Sequence, residues 1–121
     1  NFGHTVGHAV EKLMNFDLLH GECVALGMIS AGRMAVERGL VSETELEDMK
    51  KILTEYKLFN IISLSDVDFS IEDVLKATKS DKKMQGGKIK FILTKEVGKA
   101  EIYTDITDED IILGIKEILK G

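Results

Sequence analysis

Proline is absent from the 121 residues and cysteine occurs once, as Cys23. A lone cysteine excludes an internal disulfide framework and fits a reducing compartment, the cytoplasm; Cys23 itself reads as a small buried apolar residue. Without proline, element boundaries rest on glycine and on capping signals. Basic residues are the minority, 16 against 21 acidic, for a net charge of -5. No basic block or arginine-rich stripe stands out of the kind that neutralises phosphate backbones, so nucleic acid is discounted as a partner. The uncharged run from Cys23 to Gly32 is about half of the roughly 20 residues that a bilayer span needs, and no membrane helix is expected. Repeats, low-complexity stretches and a linker long enough to divide the chain are also lacking, so residues 1–121 are expected to form one domain. The first residue is Asn1, and neither an initiator methionine nor a signal-peptide pattern is present. The expectation is a chain that starts inside a longer protein.

The composition that remains, 44% hydrophobic and 31% charged, is ordinary for a globular protein with one core. Helical spacing of Val6, Ala9, Val10, Leu13 and Met14 predicts a helix over Thr5 to Asn15, and a long apolar helix follows from Gly21 to Arg38, stopped by Gly39. In that second helix Gly27, Ala31 and Ala35 fall four apart, a small-residue stripe along which another backbone could approach. Gly27 and Gly32 each cost about 1 kcal/mol relative to alanine inside a helix, a cost that close packing would offset. Three capping boxes mark further starts: Ser42 with Glu45 before a helix to about Tyr56, Ser70 with Asp73 before a short helix to about Lys79, and Thr107 with Asp110 before a terminal helix. Ile111, Ile112, Ile115, Ile118 and Leu119 form the apolar face of that last helix. Alternation over Lys88 to Thr94 and again over Ala100 to Thr104 predicts a short antiparallel hairpin. The fold class is therefore mostly α, four to five helices with one small β-hairpin.

All three histidines, His4, His8 and His20, lie in the first twenty residues. On a helix His4 and His8 would be one turn and about 6 Å of rise apart on one face, within reach of one ion or one substrate. Imidazole suits zinc and other transition metals, and a catalytic zinc commonly has three protein ligands and one open position, which three histidines could fill. The plainer alternative makes one or more of them capping or half-buried structural residues. The metalloprotease pattern needs a glutamate directly after the first histidine, and that position is Thr5, so this reading lacks its base. Glu22 reads as a first-turn acid opposing the helix dipole. A second charged stretch, Ser80 to Lys88, reads as a glycine-ended loop whose lysines could hold a phosphate, though most such loops are solvated turns.

Asn1-Phe2-Gly3-His4-Thr5-Val6-Gly7-His8-Ala9-Val10-Glu11, then His20-Gly21-Glu22-Cys23-Val24-Ala25-Leu26-Gly27-Met28, then Asp81-Lys82-Lys83 with Gly87-Lys88-Ile89-Lys90-Phe91, resemble the 3-dehydroquinate synthase family in order and spacing. The resemblance runs from Asn1 to the end of the chain and covers the carboxy-terminal half of that family. It implies a helical domain supplying metal and substrate contacts, with an NAD-binding amino-terminal domain outside this chain. It implies that His4 and His20 are two ligands of a divalent zinc or cobalt ion, the third, a glutamate, belonging to the other half. His8 then matches a proton-transfer residue touching substrate, Asn1 a substrate-binding asparagine, and Lys82 or Lys83 a substrate-contacting lysine.

The activity implied is that of a phosphate-eliminating cyclase, a carbon-oxygen lyase of the shikimate pathway to aromatic amino acids. It acts on 3-deoxy-D-arabino-heptulosonate 7-phosphate, usually as a homodimer, and the present half is expected to be inactive alone. Another sugar-phosphate cyclase such as a 2-deoxy-scyllo-inosose synthase would keep the same parts. Relatives of glycerol dehydrogenase share the paired histidines but usually lack the Asn-Phe-Gly-His opening. A free-standing helical metal-binding module is the reading from a different class.

Overall fold

The computed structural model describes residues 4–14, 20–84, 91–96, 99–103 and 106–120. Five α-helices carry the fold: α1 (His4–Leu13), α2 (His20–Glu37), α3 (Glu43–Glu55), α4 (Ile71–Met84) and α5 (Asp108–Ile118). Each predicted capping box forms. Ser42 and Glu45 exchange side-chain and backbone hydrogen bonds at the start of α3, Ser70 and Asp73 at α4, and Thr107 and Asp110 at α5. These bonds satisfy amides that the first turn of a helix leaves without intrahelical partners. Helix α2 stops at Gly39, whose φ of 73° lets Gly39 and Leu40 donate back to Val36 and Ala35.

The hairpin is antiparallel, β2 (Phe91–Glu96) with β3 (Lys99–Tyr103), pairing Phe91 with Tyr103 and Leu93 with Glu101. Its first strand runs through Glu96, which sequence alternation had placed in the turn, and the register is irregular between Thr94 and Glu96. The predicted strand residues Lys88 to Lys90 and Thr104 lie outside the described residues. A second, two-residue parallel pairing joins β1 (Ile62–Ser63) to β4 (Leu119–Lys120). Alternation cannot reveal so short a pairing, and Leu119, expected as the last residue on the face of α5, belongs to it.

The core lies around α2. Its Leu26, Ile29, Ala31, Met34 and Ala35 pack with Val6, Ala9 and Val10 of α1, Leu46 of α3, Val74 of α4 and Ile111, Ile115 and Ile118 of α5. The stripe Gly27, Ala31 and Ala35 is buried throughout, as its spacing suggested. Charged groups close the far side of the bundle. Arg33 of α2 donates through Nε to Glu117 of α5 at 2.7 Å and through both terminal nitrogens to Glu43 of α3 at 2.8 Å. Lys50 of α3 donates to the other Glu117 oxygen at 2.7 Å, so one carboxylate ties three helices together. No helix among the described residues is long and apolar enough to cross a membrane.

Candidate functional site

His4 is the first residue of α1, His8 stands one turn further along, and His20 is the first residue of α2. The contact between these helices is unusually close because Gly7 has no side chain. A Cβ built on Gly7 would stand 2.4 Å from the Cys23 carbonyl oxygen and 3.4 Å from the Gly27 Cα. His4 precedes Gly7 by three residues and His20 precedes Cys23 by three, so each lies about 4.5 Å of helical rise from the crossing. Two histidine-bearing helix starts therefore share one crossing point. A mid-helix glycine was the available sequence signal for it.

Helix α1 also packs against α4. The charged stretch that read as a loop is corrected here: α4 continues to Met84, so Ser80, Asp81, Lys82 and Lys83 are helical, and only Gln85 onwards falls outside the described residues. The physical reason is local, since nothing between Lys79 and Met84 breaks a helix and the first glycine is Gly86. Lys82 and Lys83 thus belong to the last turn of a helix lying alongside the one that carries His4 and His8. Helix α1 thus packs against both α2 and α4. The side chains of His4, His8, His20, Lys82 and Lys83, and the whole of Asn1, lie outside the described residues. Among the described residues no group of three or more His, Cys, Asp and Glu is gathered to hold an ion.

The chemistry of the surroundings is restrained. Cys23 is buried, and burial, with smaller contributions from Glu11 and Glu22, pushes its thiol up to about 11. At neutral pH it stays protonated and behaves as the small apolar residue the sequence suggested, not as a nucleophile. Glu22 sits in the first turn of α2, where a negative charge opposes the helix dipole. An open groove of about 410 Å³, lined by Leu13, Met14, Ser65, Asp66, Val67, Asp68 and Phe69, lies at the other end of α1 from His4. One neighbour of the histidine-bearing turn escaped sequence reasoning: Leu58, after α3, places its Cδ2 3.4 Å from a Cβ built on Gly21. Nothing in the periodicity of residues 56–61 marks that contact.

Comparison with known proteins gives a consistent result. The family described as 3-dehydroquinate synthase C-terminal matches residues 1–84. A 3-dehydroquinate synthase of Acetivibrio thermocellus is 43% identical over 113 residues, covering 93% of this chain and 30% of that protein. One from Prochlorococcus marinus is 42% identical over 109 residues, covering 89% and 29%. Among solved structures, a 2-epi-5-epi-valiolone synthase from Streptomyces hygroscopicus with NAD+ and Zn2+ bound is similar at a TM-score of 0.81 and 25% identity, covering 97% of this chain and 31% of that one. A 2-deoxy-scyllo-inosose synthase complexed with carbaglucose-6-phosphate, NAD+ and Co2+ is similar at a TM-score of 0.75 and 25% identity, covering 98% and 34%. The chain spans about 30% of the length of the curated relatives it matches.

Proposed function

We propose a function from one premise: the chain belongs to the 3-dehydroquinate synthase C-terminal family. On that premise it is the metal- and substrate-binding part of a 3-dehydroquinate synthase, a phosphate-eliminating cyclase and hence a carbon-oxygen lyase. The observation that carries the reading is the close crossing of α1 over α2 at Gly7, with α4 packed on α1. It brings the two helices that begin with histidines together at one crossing, and the helix that carries the lysines packs on the first of them. The donor set fits a divalent zinc or cobalt ion, which imidazole binds well. His4 and His20 would hold it, with a further ligand from outside this chain. Such an ion supplies Lewis-acid polarisation of a hydroxyl or carbonyl oxygen.

The chain's own residues do the rest of the work assigned to this half. Lys82 or Lys83 offers a positive charge to an anionic, phosphorylated sugar-acid such as 3-deoxy-D-arabino-heptulosonate 7-phosphate. Asn1 contributes hydrogen bonds to the same substrate. His8, one turn from His4, moves a proton to or from the substrate, a task for the side chain whose ordinary titration falls near neutral pH. NAD is bound by the remainder of the full-length enzyme, which we place in the cytoplasm as a homodimer acting in aromatic amino acid synthesis.

A related cyclase chemistry has support of its own in the solved valiolone and inosose synthases, at 25–28% identity. The 3-dehydroquinate synthases, at 37–43% identity, favour the first substrate. Calorimetric titration with zinc tests the roles. His4→Ala and His20→Ala are each expected to weaken binding at least tenfold, while His8→Ala leaves it within about twofold of wild type. Equal damage from His8→Ala would mean that the three histidines form a different site and that the assignment is wrong.

A further inference from the structure

Apolar side chains left in water are usually scattered singly over a protein surface. Here they are gathered. Among the described residues five large hydrophobic side chains are exposed, and four of them, Ile52, Tyr56, Leu58 and Ile61, fall within a ten-residue stretch at the end of α3 and just beyond it. Ile52 and Tyr56 are one helical turn apart on the same face, and Tyr56 is the barest of the group at 74% exposed.

The core does not account for them. The inward side of the same stretch is carried by Leu46, Met49, Leu53 and Phe59, which pack in or against the core. Helix α3 packs on α2 with Leu46 as its one buried residue, and the rest of its outer side is charged or polar: Glu47, Asp48, Lys51, Thr54 and Glu55 are all exposed, as is Lys57 after it. Large apolar side chains set among charged ones match the apolar centre and polar rim of a protein interface.

We infer that this face is covered, in the full-length protein, by the part of the chain that precedes α1. The present chain spans about 30% of the length of the curated relatives it matches, and its family is a C-terminal one, so most of such a protein lies outside it. Size favours a tethered occupant over a second copy. A stable contact between separate subunits takes roughly 20–30 residues a side and must offset about 4–15 kcal/mol of lost translational and rotational freedom. Four exposed apolar side chains fall well short of that. A domain on the same chain is held at an effective concentration that reaches the millimolar range over a short linker, so a small apolar contact is enough to dock it. The inference rests on family membership and not on the roles of His4, His8 or His20.

The test measures acetylation of Tyr56 by N-acetylimidazole in the full-length protein, read on the Tyr56 peptide by mass spectrometry. The same protein unfolded in urea gives the rate of the uncovered phenol. In the native protein Tyr56 is expected to react about fivefold or more slower than when unfolded, at every protein concentration, since the middle of an interface excludes water. In residues 1–121 alone it is expected to react near the unfolded rate, in keeping with its exposure. Ile52→Ser, a change at a half-exposed position with little effect on the stability of the bundle itself, is expected to bring the full-length rate back toward that of the short chain. A native full-length rate as fast as the unfolded one overturns the inference. Slowing that fades on dilution overturns it too, because a second copy would then be the cover. So does protection that Ile52→Ser leaves intact, which would put Tyr56 under a contact that the apolar face does not make. Zinc does not enter the readout, so this inference and the proposed function can fail separately.

Discussion

Lys57 occupies a backbone position that glycine normally takes. Its φ is 59°, and the hydrogen bonds around it at the end of α3 repeat those around Gly39 at the end of α2. A β-carbon in this left-handed region crowds the following carbonyl at a cost of about 1–2 kcal/mol, which glycine avoids while giving up about 0.5–1 kcal/mol of unfolded-chain entropy. Lys57→Gly is therefore expected to raise stability by about 0.5–1 kcal/mol, seen as a higher urea midpoint at unchanged slope. A lower midpoint would show that the lysine side chain contributes more than its backbone conformation costs. The contrast also shows why one helix stop was visible and the other was only bracketed. Gly39 is itself the signal, whereas Lys57 looks like any surface lysine and the end near Tyr56 came from periodicity and capping upstream.

Among the described residues helix α2 is approached at three places where glycine allows close packing, and the three differ in what a methyl group would strike. At Gly7 of α1 it meets the backbone of Cys23 at 2.4 Å, and at Gly114 of α5 it meets Ser30 Oγ at 2.6 Å and the Ser30 carbonyl at 2.8 Å. At Gly32 it meets the ends of Leu46 and Met49 of α3 at 2.8 and 2.9 Å, and flexible side-chain ends can move aside. Alanine substitutions should therefore rank Gly7 as most damaging, Gly114 next and Gly32 least, with about 1–3 kcal/mol or more lost at the first two. Chemical denaturation of the three variants measures the order. Gly32→Ala as the worst would mean that α3, not α1, is the rigid partner of α2. The stripe Gly27, Ala31 and Ala35 was legible on one helix, because spacing within a helix is written in the sequence. Which glycine faces it was not, because a crossing joins segments whose separation along the chain carries no periodic trace. The extent of α4 escaped for a related reason: charge between Ser80 and Lys83 suggested a loop, but a polar stretch that continues a helix reads the same.

For the molecule as a whole, the motifs around His4, His8, His20 and Lys82 or Lys83 were readable in order, while the packing of the helices that carry them was not. The same packing makes stability depend on pH through its paired carboxylates, Glu117 among them. Burial pushes the Glu117 carboxyl up, but the hydrogen bonds from Arg33 and Lys50, and their charges, outweigh it and hold the group below the usual carboxylate range. A folded value below the unfolded one, about 4.3 for glutamate, means that stability is fully present above that value and is lost as pH falls through the lower, folded one. Lys50 works in the opposite sense. Burial lowers it, yet the Glu117 hydrogen bond and charge raise it overall, so its contribution is present below about pH 10.4 and is lost only as pH rises through the higher folded value. The other carboxylates of the network, Glu43 and Glu47 of α3 and Glu37 of α2, are exposed and well screened, which leaves Glu117 as the acid-sensitive centre. Glu117→Gln keeps the shape and one acceptor but removes the charge, leaving Arg33 and Lys50 facing each other across the junction of α2, α3 and α5. We expect it to cost about 1–3 kcal/mol at pH 7, the usual worth of hydrogen bonds to a charged group. Thermal melts of both proteins from pH 8 to pH 3 should then show the gap narrowing below about pH 4.3 as the wild-type carboxylate takes up its proton. A gap that stays constant across that range would mean that Glu117 acts through packing alone and that the three helices are held together without its charge.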